Sequence, residues 1–230
     1  GGIMKETIKK YLEEFKIGTK TMFKEFFNKE TNKKQMDTSI DMKISELIIE
    51  NNGKQPNSFD IIEKLYESDI ITDNQKVEMI TNGGELKVGE EVIRINTSEV
   101  INNSWSETIQ TGDKWRLKFK CRLNKIAGVE YIEFGTMLLP DFILDSYKPE
   151  VEIIDKFTLE NSDKLTTLII KAENYIDDEN GYDWNATLFD IPESSKNDMV
   201  FARSYAKYKY NGVEGVIYSD IVQASVETHK

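Results

Sequence analysis

Histidine is nearly absent from this sequence, and its scarcity excludes several kinds of catalytic site. The 230-residue chain has one histidine, His229, which is the next-to-last residue and is expected to fray. Ser/His/Asp and Cys/His catalysis need a histidine held in place, and ordinary zinc sites need histidines or several cysteines. The sequence therefore argues against these chemistries.

Cysteine, long apolar runs and phosphate-binding loops are also scarce or missing. Cys121 is the single cysteine, which excludes an intramolecular disulfide. Apolar runs such as "VIRI" and "LII" are only a few residues long, so we expect no membrane insertion. Neither GxxxxGK[ST] nor GxGxxG occurs, which argues against the common nucleotide enzymes.

The charge of the chain is acidic, with one basic exception. Asp and Glu number 41 against 30 Lys and Arg, and a net charge of -11 argues against a nucleic-acid partner. In "DKWRLKFKCRL", however, Arg116, Lys118, Lys120 and Arg122 alternate with apolar residues, so a strand would place them on one face. These cations either bind an anionic polymer such as a wall teichoic acid or pair with carboxylates on neighbouring strands. The excess of acids favours pairing.

The first part of the sequence has the spacing of an amphipathic helix. Apolar residues at helical intervals predict a helix from about Lys5 to Phe27. Ile8, Phe15 and Met22 recur every seven residues, which is typical of helices that join copies into a homo-oligomer. The alternative is a helix that packs on its own domain.

Further helices are predicted between residues 28 and 82. The polar stretch "NKETNKKQMDTS" predicts a linker, and the spacing from Ile40 to Ile48 predicts a helix ending at "NNG". "MDTSIDMKI" also alternates, so a strand is an open alternative there. Ser58 predicts the cap of a helix through Tyr66, followed after "SDII" by a second short helix.

The second short helix has a strong start signal. In "TDNQ", Thr72 and Gln75 stand at the two positions of a capping box, which predicts a helix to about Ile80.

After "TNGG" the sequence changes to about ten short β-branched and aromatic runs separated by turns. This pattern predicts an α+β chain with a domain boundary near Gly83 and Gly84. We expect a helical assembly or docking region at residues 4–82, followed by an antiparallel β-sandwich at residues 84–230.

Aromatic and basic residues are the candidate ligand-binding groups. Trp184 and Tyr182 offer flat faces on which a sugar can stack, although Trp184 also has the spacing of a core residue. Arg116, Lys118 and Lys120 are the candidate contacts for an anionic ligand.

"DDENGYD" contains closely spaced carboxylates and a glycine, so Asp177, Asp178 and Asp183 are candidate calcium ligands. The stretch lacks the alternate-residue ligands and the distant Glu of an EF-hand loop, and a polar turn explains it more simply. We therefore expect no cofactor, with calcium as the alternative.

Four stretches, in order, resemble a β-rich module that recurs in surface proteins of clostridia and related Gram-positive bacteria. They are "WRLKFK", "FGTMLLP", "NGYDWNATLFDI" and "FARSYAKY" with the following "VIYS", within about residues 110–220. The resemblance implies an extracytoplasmic structural or adhesive module with no catalytic residues to transfer. It also implies that Arg116 and Arg203 are paired framework residues.

These observations predict a non-catalytic binding or adhesion module that recognises a glycan or a surface protein. No stretch from Met4 onward has the apolar region of a secretion signal, which favours a phage-derived tail protein that acts outside the cell after lysis. The expected location is thus extracellular, at a cell surface or on a virion. The alternatives are a purely structural phage tail protein and a carbohydrate-active enzyme that uses a carboxylate pair.

Overall fold

The computed structural model describes residues 29–140 and 157–230, with side chains from residue 33 onward. Within these ranges the chain has four α-helices and eleven strands, the strands paired in antiparallel sheets. Three helices precede the β-rich part, so the predicted α+β order is confirmed. The predicted helix from Lys5 to Phe27 and most of the predicted strand "VEIIDKF" lie outside the described residues.

The first described helix, α1, spans Lys29–Glu50. The predicted linker at residues 28–39 is therefore wrong, and so is the alternative strand at "MDTSIDMKI". Lys, Gln and Glu are good helix formers even without an apolar face. Ile40 and Leu47 are buried one above the other against the rest of the protein, and this packing fixes the helix. The helix ends before "NNG", as predicted.

Helices α2 (Ser58–Glu67) and α3 (Asp73–Thr81) form the predicted hairpin. The cap of α2 is Asn57 rather than Ser58, because the Asn57 side chain accepts the Asp60 N–H at 3.0 Å. The predicted capping box of α3 is confirmed. Thr72 Oγ1 accepts the Gln75 N–H at 3.2 Å, and Gln75 Oε1 accepts the Thr72 N–H at 2.9 Å.

The strands form three antiparallel sheets. The first is the hairpin of β1 (Glu85–Val88) and β2 (Glu91–Arg94). The second, called the β4 sheet, has the order β3 (Ile101–Thr111), β4 (Lys114–Asn124), β8 (Gly181–Pro192) and β7 (Ile176–Asp177).

The third sheet, called the β9 sheet, has the order β10 (Val213–Tyr218), β9 (Val200–Tyr210), β5 (Val129–Pro140) and β6 (Leu168–Lys171). Strand β11 (Val222–Ala224) pairs with the first residues of β9. A short helix, α4 (Ser162–Leu165), precedes β6, and a 3-10 turn at Glu193–Ser195 follows β8.

Strand β4 has the two faces that its alternation predicts. Leu117, Phe119, Cys121 and Leu123 are fully buried, and the four cations lie on the opposite face. Trp115 is only half-buried, because the β4–β8 register shifts between Trp115 and Leu117.

The buried face of the β4 sheet packs on the β9 sheet. Leu117 and Phe119 of β4 form one cluster with Leu138 of β5 and Ala202 of β9. Because β5 and β9 are buried on both faces over much of their length, the other face of the β9 sheet is also covered. There Met137 and Tyr205 pack with Phe157.

Helices α2 and α3 pack against the β-rich part. Phe59 of α2 contacts the rings of Tyr208 and Tyr210, at centroid distances of 5.1 and 4.9 Å. The Tyr208 hydroxyl donates to the carbonyl of Ile80 at the end of α3. A Cβ at Gly215 of β10 would lie 2.1 Å from that carbonyl oxygen, so only glycine allows this approach. The helices thus share one core cluster with strands of the β-rich part.

The C-terminal end is packed, contrary to the expectation that His229 frays. The His229 ring lies 5.1 Å from the Trp105 ring, and its Nδ1 is 2.7 Å from Thr228 Oγ1. Packing on β3 therefore orders this end of the chain.

Candidate functional site

A surface groove of about 420 Å³ lies where β7, β8 and β4 meet. Its lining combines two aromatic residues, two amides, a lysine, a carboxylate and an isoleucine: Lys120, Asn174, Tyr175, Ile176, Asp183, Trp184 and Asn185. Lys120, Asp183 and Trp184 are among the residues predicted from the sequence. This groove is the candidate site.

Tyr175 is the exposed aromatic group of the groove. Its ring contacts Phe134 at 5.1 Å and Tyr182 at 5.5 Å between centroids, both edge-on, while 45% of the residue remains exposed. A ring that is held from behind and open in front loses little conformational freedom when a ligand stacks on it. The sequence analysis missed Tyr175, because it lies just before a strand of only two residues that has no periodicity to detect.

The polar side chains of the groove are open to a ligand. Asn174, Asn185 and Lys120 are exposed, and the structure shows no side-chain hydrogen bond or ion pair from them to other described residues. Their amide and ammonium groups can therefore donate to a ligand without breaking a protein contact.

Trp184 and Tyr182 mainly support the groove. Trp184 is 3% exposed, and its Nε1 donates to Thr136 Oγ1 at 3.0 Å, so most of the ring belongs to the core. Tyr182 is half-buried behind Tyr175, with the Lys125 ammonium 4.9 Å from its ring centroid. A direct ligand contact by either ring stays a prediction.

The basic stripe is partly neutralised by cross-strand pairs, as the pairing interpretation predicts. Lys118 Nζ lies 2.7 Å from Glu107 of β3, and Arg122 NH1 lies 2.6 Å from Asp183 of β8. Arg116 lies over the Phe189 ring, 5.1 Å from its centroid.

The candidate calcium ligands are engaged by cations. Asp177 pairs with Lys125 at 2.5 Å, and Arg122 bridges Asp178 at 2.8 Å and Asp183. In the described part of the chain, no group of three or more His, Cys, Asp or Glu is placed to hold a metal ion. The arrangement does not fit a calcium loop, and calcium binding stays an untested prediction.

Asp178 is fixed as an anion by this arrangement. Hydrogen bonds from Arg122 and from the backbone N–H groups of Asn180 and Gly181 lower the pKa of Asp178 to about 2. The carboxylate is therefore ionised at all pH values near neutral, and it keeps its hydrogen bonds to the turn before β8.

Arg203 is a framework residue, but it is not paired with Arg116. The residue is 5% exposed, and its guanidinium donates to the carbonyls of Ser219 at 3.1 Å and Phe157 at 2.9 Å. Arg116 is on the β4 sheet and Arg203 on the β9 sheet, with their guanidinium groups against different rings, Phe189 and Tyr218. The pairing implied by the resemblance is therefore wrong.

Below the groove, Thr136 joins the two sheets through polar contacts. Its Oγ1 accepts from Trp184 of β8 and lies 3.1 Å from Cys121 Sγ of β4 and 3.2 Å from Ser204 Oγ of β9. All four residues are buried, and burial raises the pKa of the Cys121 thiol. This hub sets the position of Trp184 and hence the floor of the groove.

Replacing Thr136 with valine should destabilise the protein. The substitution keeps the shape but leaves the buried Trp184 N–H without its acceptor, so we expect a loss of about 1–3 kcal/mol in the free energy of unfolding. Denaturant unfolding followed by tryptophan fluorescence measures it. Thr136→Ser, which retains the hydroxyl, is the control and should lose only about 1 kcal/mol for the methyl group. A valine variant as stable as the parent would show that the hub contributes nothing.

Comparison with known proteins gives no match: no family model, curated protein or solved structure is detectably similar to this chain. The resemblance to the clostridial surface module thus stays a prediction. None of the described helices is long and apolar enough to cross a membrane.

Proposed function

We propose that this protein is a non-catalytic glycan-binding module, and that the groove beside Tyr175 is its binding site. The observation that carries the proposal is an exposed ring, packed on its neighbours, beside Asn174, Asn185 and Lys120, three polar side chains without a partner among the described residues. A sugar has an apolar face that stacks on an aromatic ring and hydroxyl groups that need donors and acceptors around it.

The fold that supports this site is, in our proposal, a β-sandwich of the β4 and β9 sheets. Two observations support it. The apolar cluster of Leu117, Phe119, Leu138 and Ala202 takes residues from both sheets, and the Trp184–Thr136 hydrogen bond crosses between them. Sandwiches commonly present binding sites on loops and strand edges, and the groove lies at such an edge, beside β7.

The location and assembly of the protein remain part of the proposal. A glycan-binding module acts at a cell surface or on a virion, as the sequence analysis predicts. The helix predicted from Lys5 to Phe27 would join copies, which raises the apparent affinity for repeated glycans.

Tyr175→Ala is the decisive variant for the proposed site. We expect the full chain to bind one class of glycan saturably on an array, without turnover, and Tyr175→Ala to weaken that binding about tenfold through loss of stacking. Tyr175→Phe should keep most of the affinity, because the ring is retained. Ile132→Ala is the control: it removes an apolar side chain on β5 that is 57% exposed, more than Tyr175, and it should bind normally.

Three other outcomes would contradict the proposed site or favour a different function. Binding that is unchanged in Tyr175→Ala would place the site outside the groove. Turnover that depends on one Asp or Glu would favour the carbohydrate-active enzyme. Absence of any glycan binding together with tight self-association would favour a structural tail protein.

A further inference from the structure

A second exposed ring stands on the same sheet as the groove. Phe189 of β8 is 56% exposed, and the Arg116 guanidinium lies 5.1 Å from its centroid. The neighbouring Leu188 lies on the opposite face of the sheet, where it packs against the core cluster.

The groove and Phe189 stand at the two ends of one surface, the side of the β4 sheet turned away from the β9 sheet, called here the outer face. The Tyr175 ring borders the groove from the other side of the sheet, where it packs on Phe134 and Tyr182. Along β8, Trp184 and Ala186 point into the core, while Asn185 and Thr187 alternate with them on the outer face. The register places Lys120 beside Asn185 and Lys118 beside Thr187.

The length of the outer face matches a linear oligosaccharide rather than a single sugar. From Asp183 in the groove to Phe189 there are six residues, or about 20 Å at about 3.3 Å per residue. The bulge between Trp115 and Leu117 lies at the far end, where it sets Phe189 across from Arg116.

Two cations of the outer face, one in the groove and one at the far end, have no carboxylate partner in the part of the chain that the structure describes. Glu107 neutralises Lys118, and Asp183 neutralises Arg122. The structure shows no carboxylate partner for Lys120 or Arg116 among the described residues. A protein with a net charge of -11 has many acids available for such pairing, yet these two cations lie on the outer face without a carboxylate partner among the described residues.

We propose that the outer face binds a linear glycan that carries anionic groups. The inference rests on the proposed function and extends it: the glycan begins in the groove, follows the outer face and stacks on Phe189 at the other end. Lys120 and Arg116 face its carboxylate or phosphate groups. Asn185 and Thr187 donate to its hydroxyls.

The test measures the affinity of the whole protein for a series of linear oligosaccharides of increasing length, beginning with a single sugar. Each uronic-acid or phosphate-bearing chain is paired with its neutral form, esterified or without phosphate. We expect affinity to rise with length until the outer face is filled and to exceed that of the neutral form. Phe189→Ala should weaken the longest chains about tenfold and leave the shortest unchanged.

The charge is tested by Lys120→Gln, which should lower the affinity for an anionic chain toward that of its neutral form and reduce its dependence on salt. Lys209→Gln is the matched control, because Lys209 is also an exposed strand lysine but lies on the β9 sheet. The Lys209→Gln variant should have the same affinity for the anionic glycan, with the same dependence on salt, as the parent protein.

The results separate this inference from the proposed function. Binding that depends on Tyr175 but not on chain length or on Phe189 would overturn the extended site and leave the glycan-binding module standing. Equal affinity for charged and neutral chains would overturn the anionic class. Failure of every glycan to bind would overturn both proposals.

Discussion

A chain shortened to residues 84–230 is expected to lose most of its stability. Removing α2 and α3 uncovers Tyr208, Tyr210 and Ile217, which now pack with Phe59, Ile62, Leu65, Met79 and Ile80 in one cluster. Each large apolar side chain that is left exposed costs about 1.5–3 kcal/mol, and a whole domain is stable by only about 5–15 kcal/mol. Exposing two or three such side chains therefore costs nearly as much free energy as the stability of the whole domain.

Denaturant unfolding of the full and shortened chains measures this loss. A single substitution in the full chain tests the same contact without truncation: Phe59→Ala removes the ring between Tyr208 and Tyr210 and should cost about 3–5 kcal/mol. Val77→Ala is the control, since Val77 of α3 is 48% exposed and its loss should stay within about 0.5 kcal/mol. Equal unfolding midpoints for the two chains would instead support a free-standing domain from residue 84.

Raising the pH above about 10 should unfold the protein steeply. Burial raises the pKa of Tyr131, Tyr208 and Tyr218, and it raises the pKa of Tyr210 to about 12. In the unfolded chain these phenols lose their protons near pH 10, whereas the folded protein holds them. The stabilisation is fully present below pH 10 and is lost as the pH rises toward the folded pKa values. Each such tyrosine adds about 1.4 kcal/mol per pH unit to the slope.

The free energy of unfolding measured by denaturant at a series of pH values checks this, with tyrosinate absorbance as the second signal. We expect absorbance and unfolding to rise together, since the buried phenols ionise only on unfolding. Tyr131→Phe should make the free energy of unfolding depend less steeply on pH in the alkaline range. The expected reduction is the contribution of one proton, about 1.4 kcal/mol per pH unit. Tyr175→Phe, at a residue 45% exposed, is the control. Tyrosinate that forms fully while the protein stays folded would contradict the prediction.

Local signals explain which parts of the fold could be predicted. The capping box of Thr72 and Gln75 and the alternation of β4 each depend on neighbouring residues, and both are confirmed. The linker prediction failed at α1 because the stretch before Ile40 is polar and shows no helical periodicity, whereas in the structure it belongs to the helix and its Met36 packs against the core cluster. Likewise, the cap of α2 was misplaced by one residue, since Asn57 and Ser58 both have capping side chains.

Some residues of the candidate site could be predicted from the sequence, and others could not. Lys120, Asp183 and Trp184 were found because a basic stripe and an aromatic turn stand out in the sequence. Tyr175 was not found, since its value as a platform comes from Phe134 and Tyr182, which are 41 and 7 residues away in the numbering. Phe189 was missed because only the pairing of β4 with β8 sets it on the same face as Lys120.

The sequence by itself determined the order of helices before strands and the two faces of β4. Only the tertiary structure decided which cations are paired, which rings are exposed, and that α2 and α3 share a core with Tyr208 and Tyr210. The physical reason is distance along the chain. Periodicity and capping act between neighbouring residues, whereas pairing and burial depend on which distant strand arrives opposite.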